Sequence, residues 1–313
     1  MRRIDVTLAL VLLGAACGHP SPWVVPSSQW MTARGDGLVL HSDADREPME
    51  ALIARVHRVR AALAATFFVG STLPEIEAMM FASRDDYEAV AGRTAAHFVA
   101  GVGHHGDLLV ARPNEDTTDL DRTVAHELAH RFVRLGHPRL PAWLEEGLAL
   151  YLSTIDVRDQ TVVLGIPAPR DLQQVAELTA VSLTPLLEST DGRVHPPYGA
   201  DFYGNAWALV HYLLDVERRE RFDQLLERLA ADPEASEAAL EAVYPEKTLT
   251  QLENAAFAWA IQLQGRAVRP ARVVAVEVAE PRPASFGPAD PARIQRLSLD
   301  LRAVQARRPS PGR

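Results

Sequence analysis

Two histidines four residues apart, with a glutamate directly after the first, have the sharpest chemical use in this chain: His126-Glu127-Leu128-Ala129-His130. On a helix, positions i and i+4 lie on one face about a turn apart, so both rings can aim a nitrogen at one zinc ion while Glu127 falls beside it. The chemistry such a group performs is hydrolysis, with the metal acidifying water and polarising a carbonyl and Glu127 acting as general base. With eleven histidines in 313 residues, the spacing arises by chance in on the order of a few per cent of chains. Context therefore decides. A catalytic zinc takes three protein ligands and keeps a position open for water, and a second apolar helix pattern, Pro141 to Leu152, carries Glu145 and Glu146 near its start. On chemistry alone either carboxylate could coordinate.

The elements that must hold these groups are readable from periodicity. The motif helix is expected to start near Thr117 or Thr118, with Asp119 and Asp121 in its first turn, and to end near Leu135-Gly136. Leu120, Val124, Leu128 and Leu135 share its apolar face, His126 and His130 project from nearly the opposite side, and Glu127 lies between. The helix can thus anchor itself without its histidines. Each metal-binding histidine needs an outer hydrogen-bond partner, for which Asp119 is the sequence's candidate.

Before the motif, Gly37 to Ser42 reads as a strand, Glu47 to Phe68 as a helix, Pro74 to Ala82 as a second strand, and Ser83 as the N-cap of another helix. Gly101 to Ala111 is a glycine-rich turn leading into a strand, expected to be an exposed edge on which an extended peptide could pair. Its His104 and His105 are candidate contacts to substrate or metal. After the motif come a strand at Thr161 to Leu164 and a run of helices: Asp171 to Leu178, Thr184 to Leu187, a strongly apolar one from Tyr198, then Arg218 to Leu229, Glu234 to Val243 and Leu249 to Gln264. Tyr203, Trp207, Val210 and Leu214 share a face and read as a buried stripe.

Trp143-Leu144-Glu145-Glu146-Gly147-Leu148-Ala149 resembles the W-L-x-E-G-x-A motif of the gluzincin metallopeptidases, the group that includes aminopeptidase N. The whole pattern looks most like the bacterial peptidase MA-like proteins of that clan, over roughly residues 36 to 265. The resemblance implies an α+β, zincin-like fold: a small mixed β-sheet lobe with the motif helix, then an α-helical lobe, with the zinc cleft between them. It makes Glu146, immediately before Gly147, the third zinc ligand beside His126 and His130, and Gly147 the point where helices approach closely. It also gives Tyr203, with Tyr198 as second choice, a hydroxyl that stabilises the tetrahedral intermediate. There is no G-A-M-E-N segment ahead of the motif helix, so the amino-terminus-reading activity of the aminopeptidase branch is not implied.

The bulk numbers set the rest. A net charge of −9 and the lack of basic runs interleaved with aromatics argue against nucleic acid as a partner; a peptide or protein substrate is what the gluzincin resemblance implies. Arg2 and Arg3 precede an apolar run from Val6 to Leu13, then Gly14-Ala15-Ala16-Cys17, an export signal whose end resembles the lipobox of bacterial lipoproteins. That run is too short for the roughly 20 residues of a membrane span. The expectation is an exported protein of the cell envelope, lipid-anchored at Cys17 and otherwise periplasmic or secreted. The chain then divides into a signal over 1–17, a Pro/Ser-rich tether over 18–35, a metallopeptidase domain over 36–265 and a Pro/Arg-rich, partly disordered tail over 266–313. Within that tail Val273 to Val278 could form a strand, and Ile294, Leu297, Leu301 and Val304 a helix. A competing reading is a non-catalytic envelope lipoprotein that keeps the zinc-binding lobe as a structural or partner-binding module; its signature, loss of Glu127 or of a ligand, is absent here.

Overall fold

Asp36-Gly37 sets the first tertiary feature. Both residues have positive φ, 48° and 76°, the backbone of a tight hairpin turn whose twist matches its strands. In the computed structural model this turn joins β1 (Met31–Gly35) to β2 (Leu38–Ser42), with Arg34 opposite Val39. The Arg60 guanidinium braces it by donating to the carbonyls of Asp36, Gly37 and Leu73 at 3.2, 2.8 and 2.9 Å. The structure describes residues 30–91, 96–100, 107–111, 117–158, 161–168, 172–173, 183–188, 199–264, 272–276 and 278–307. The export signal with Cys17, His104, His105 and Tyr198 lie outside the described residues, as does most of the Asp171 to Leu178 helix.

From β2 the chain runs through α1 (Arg46–Thr66) to β3 (Ile76–Met80), parallel to β2, and through α2 (Arg84–Ala91) to β4 (Ala96–Ala100) and β5 (Asp107–Ala111). Ser83 caps α2 as expected, its hydroxyl accepting from the Asp86 amide at 3.3 Å. β5 is parallel to β3 and antiparallel to β4. β4 is therefore one edge of this sheet, and the β5 strand expected at the edge is interior, covered by the antiparallel β4 that precedes it in the chain.

Next come α3 (Thr117–Gly136), α4 (Ala142–Leu152), β6 (Asp156–Arg158), β7 (Thr161–Leu164), α5 (Leu183–Leu187), α6 (Gly199–Asp215), α7 (Arg219–Ala231), α8 (Ser236–Val243) and α9 (Leu249–Gln264). The chain finishes with β8 (Arg272–Ala275), β9 (Ser285–Pro288) and α10 (Pro291–Arg307). The large sheet has the order β4-β5-β3-β2-β1-β9, and β6, β7 and β8 make a small antiparallel one.

The fold is thus mixed α+β, as expected, and the strand and helix expected around Val273 to Val278 and Ile294 to Val304 are β8 and α10, but segments near both ends of the chain also join the large sheet. Residues 31–35, expected to be the end of a tether, are a strand of the large sheet. The supposed tail supplies β9, which pairs with β1, and α10, which buries Ile294, Leu297 and Leu301 with Trp30, Met79, Phe81, Tyr87 and Val110 on one face of the sheet. The other face is covered by α1 and α3, whose apolar side chains merge with the helical half into one core. Among the described residues no helix is long and apolar enough to cross a membrane.

Candidate metal centre

α3 is anchored in the core by Leu120, Val124, Ala125, Leu128, Ala129, Phe132 and Val133, all buried, with Phe132 stacked on Phe68. Leu135, expected on that face, is 50% exposed near the helix end, and Phe132 and Val133 fill the core instead. A second stripe on α3, Arg122, His126, His130 and Arg134 at four-residue spacing, faces α4. Arg122 Nε donates to Ser153 Oγ at 3.2 Å, the His126 ring donates to the Ala149 carbonyl, and His130 Nδ1 and Arg134 Nε meet Glu145 Oε1 at 2.8 and 2.7 Å. Successive turns of α3 thus bond to successive turns of α4 in the reverse direction, which fixes the two helices as an antiparallel pair.

Glu146 closes the site. His126 Nε2 and His130 Nε2 lie 3.1 Å apart, and Glu146 Oε2 is 3.6 and 3.5 Å from them. A tetrahedral ion with bonds of about 2.0–2.1 Å needs donor atoms roughly 3.4 Å from one another, so this triangle fits zinc as it stands. The residue types agree, two imidazoles and one carboxylate. Two neutral imidazole lone pairs at 3.1 Å would repel unless a proton or a cation lay between them. The His126 and Glu146 side chains retain 21% and 16% of their exposure and that of His130 only 8%, so the triangle is sunk but reachable from solvent.

The electrostatics follow from this packing. Burial, with the neighbouring His130 adding to it, pushes the His126 imidazole well below its ordinary range. Burial acts the same way on His130, but hydrogen bonds to Glu145 and Glu146 outweigh it and raise that group. Burial likewise opposes ionisation of Glu146, yet the hydrogen bond and charge of His130 hold its carboxyl below the usual range. Burial, then the charges of Glu146 and Glu127, push the Tyr203 hydroxyl up to about 12, so it stays protonated and able to donate.

Tyr203 comes near the site because α6 lies against α4 at Gly147. A Cβ there would sit 2.6 Å from the Ala206 carbonyl oxygen and 2.6 Å from Val210 Cγ2, so only glycine permits this approach. Further along α6, buried Asp215 ties the two helices by accepting from the Tyr151 hydroxyl at 2.8 Å, with His211 Nδ1 2.7 Å away. Trp207 and Val210 are buried, as the apolar stripe required, while Tyr203 is only half-buried.

His126, His130 and Glu146 are therefore brought together, with Glu127 and Tyr203 within electrostatic range of them. Glu145 is not part of the triangle. Sequence reasoning did not find the outer partners of the histidines: they are the Glu145 carboxylate and the Ala149 carbonyl, and the Asp119 side chain lies outside those described. A signal for Glu145 existed in Arg134, one turn beyond His130, which gives the second carboxylate a cationic partner.

A family model described as a protein of unknown function (DUF1570) matches residues 122–234, from the motif turn of α3 through α7. The match spans all five residues of the candidate site. No curated protein matches the chain.

Proposed function

We propose that this protein is a zinc-dependent peptidase of the gluzincin type, related to the peptidase MA-like proteins and exported to the cell envelope with a lipid anchor at Cys17. The observation that carries the reading is the convergence of His126 Nε2, His130 Nε2 and Glu146 Oε2 at 3.1 to 3.6 Å, with Glu127 next to His126 in sequence. Those three side chains would hold the ion. Zinc, when bound, supplies a Lewis acid that acidifies water toward neutral pH and polarises a carbonyl.

The remaining work belongs to the chain. Glu127 takes the proton of the attacking water on its carboxylate and returns it to the leaving amine nitrogen. Tyr203, protonated across the working range, donates a hydrogen bond to the oxygen on which charge develops. On this reading the sheet half and the helical half would border a zincin-like cleft, and β4, an edge strand, would offer main-chain groups to an extended peptide. The Ala149 carbonyl holds the His126 ring in orientation while the exposed flank of the site admits substrate.

The test is metal content together with cleavage-site profiling on a peptide library, wild type against Glu127→Gln. Support is one zinc per chain in both proteins and cleavage by the wild type alone. Zinc in both with cleavage in neither favours a binding module, and equal cleavage by both removes Glu127 from the mechanism.

A further inference from the structure

We infer that Glu145 is a positioning residue of the metal site: it fixes His130 in the tautomer that offers Nε2 to the ion, and Arg134 holds Glu145 in place for that task. This rests on the zinc reading above and adds two residues to it.

The chemistry follows from donors and acceptors. Glu145 Oε1 lies 2.8 Å from His130 Nδ1 and 2.7 Å from Arg134 Nε. An ionised carboxylate only accepts, so both nitrogens donate to this one oxygen. With its proton on Nδ1, a neutral His130 has its lone pair on Nε2, the atom that faces His126 Nε2 and Glu146 Oε2. Glu145 and Glu146 are neighbours on α4, so their side chains diverge by about 100°. One reaches the Nδ1 side of the imidazole and the other the Nε2 side, and two consecutive glutamates grip opposite edges of one ring.

The same geometry keeps Glu145 away from the ion. For Glu145 to join the triangle, Oε1 would have to leave two charge-assisted donors, one of them on a ring whose side chain is only 8% exposed. Arg134 itself is 49% exposed and reaches in from solvent, so it acts on the carboxylate and has no part in the core. The pair thus divides the labour: Glu146 toward the metal, Glu145 toward the ligand's far nitrogen.

The experiment measures the zinc affinity of the full chain by competition with a chromophoric chelator, for wild type, Glu145→Ala, Glu145→Gln, Arg134→Gln and Glu146→Ala. The cobalt-substituted visible spectrum is recorded alongside, with circular dichroism and melting of the metal-free proteins to report the fold. Glu145→Ala is expected to weaken zinc about 10- to 100-fold. Glu145→Gln keeps an acceptor oxygen and Arg134→Gln keeps the carboxylate, so each should lose less, with metal-free melting close to wild type and shifted cobalt bands. Wild-type affinity in Glu145→Ala overturns the inference, and if that variant fails to fold, wild-type affinity in Glu145→Gln does so. Zinc retained by Glu146→Ala but lost by Glu145→Ala also overturns it, since Glu145 would then be the ligand. Absence of zinc from the wild type removes the proposed function and the inference together, whereas zinc in the wild type with unaltered Glu145 variants removes the inference alone.

Discussion

Replacing Gly147 by alanine would test whether the approach of α4 to α6 sets the reach of Tyr203. The new Cβ would lie 2.6 Å from the Ala206 carbonyl oxygen, 2.6 Å from Val210 Cγ2 and 3.0 Å from the Ala206 carbonyl carbon. Ordinary contact begins near 3.4 Å, so the helices must part by about 0.8 Å at this point. Neither neighbour yields easily: the carbonyl belongs to the α6 ladder, and a helical valine has one strongly preferred rotamer. Overpacking of this kind costs about 1–3 kcal/mol. Alanine returns about 1 kcal/mol of helix propensity, leaving a net loss on the order of 1 kcal/mol and a Tm lower by only a few degrees. Function should suffer more. Tyr203 stands one turn before Ala206 on the displaced helix, and misplacement on the order of 1 Å can slow turnover about 100-fold. The assay combines calorimetry, zinc content and kcat on a peptide chosen from the library. The expected result is a slightly lower Tm, full zinc occupancy and kcat reduced about 10- to 100-fold. A raised Tm with unchanged kcat would refute the reasoning, because it would mean that the helices are free to separate without moving the hydroxyl.

Glu127→Gln should lower kcat by roughly 10²- to 10⁴-fold with zinc content intact, measured by elemental analysis and peptide turnover; loss of the zinc instead would make Glu127 part of the binding set. Tyr203→Phe should lower kcat about 100-fold, near 3 kcal/mol, with KM little changed. Full turnover in that variant assigns the tyrosine to packing alone. Because hydrogen bonds to Glu145 and Glu146 raise the His130 imidazole above its ordinary value, a zinc ion binding at this site would displace a proton from that ring. Affinity should therefore rise about tenfold per pH unit through neutrality, with about one proton released in calorimetry across buffers of different ionisation enthalpy. His126, held neutral by burial, adds nothing to that count. An affinity that stays flat from pH 6 to 8 would contradict the assignment of the proton.

What could be read from the sequence was local and periodic. The limits of α3 and α9 and the Ser83 cap each follow from residues within a turn or two of one another, whereas the close helix approach at Gly147, which meets Ala206 and Val210, is implied by the family resemblance. The histidine spacing likewise located one side of the site, and the motif around Gly147 located the other. Asp36-Gly37 is a hairpin signal, and it is the local mark that β1 leaves in the sequence. Glu145 could be weighed only as a rival ligand, since its actual partner depends on how α3 and α4 lie against each other. Leu135 fitted the apolar wheel but sits in the last turn, where α3 has already run past the core. The edge moved from β5 to β4, and β9 hid among prolines, because strand pairing across distant segments leaves no periodic mark.

The β1 to β9 pairing also orders events in time. Arg34 lies opposite Ser285, 251 residues later, so the large sheet cannot be completed until nearly all of the chain has been synthesised. Bringing such distant segments together adds little equilibrium cost, about 0.6 kcal/mol per doubling of the loop, but pairings of long sequence separation form slowly. Until then β1 presents a bare edge, the kind of surface that recruits other chains. Shortening the chain before residue 285 would freeze it at that stage, with His126, His130 and Glu146 all present and the large sheet unfinished.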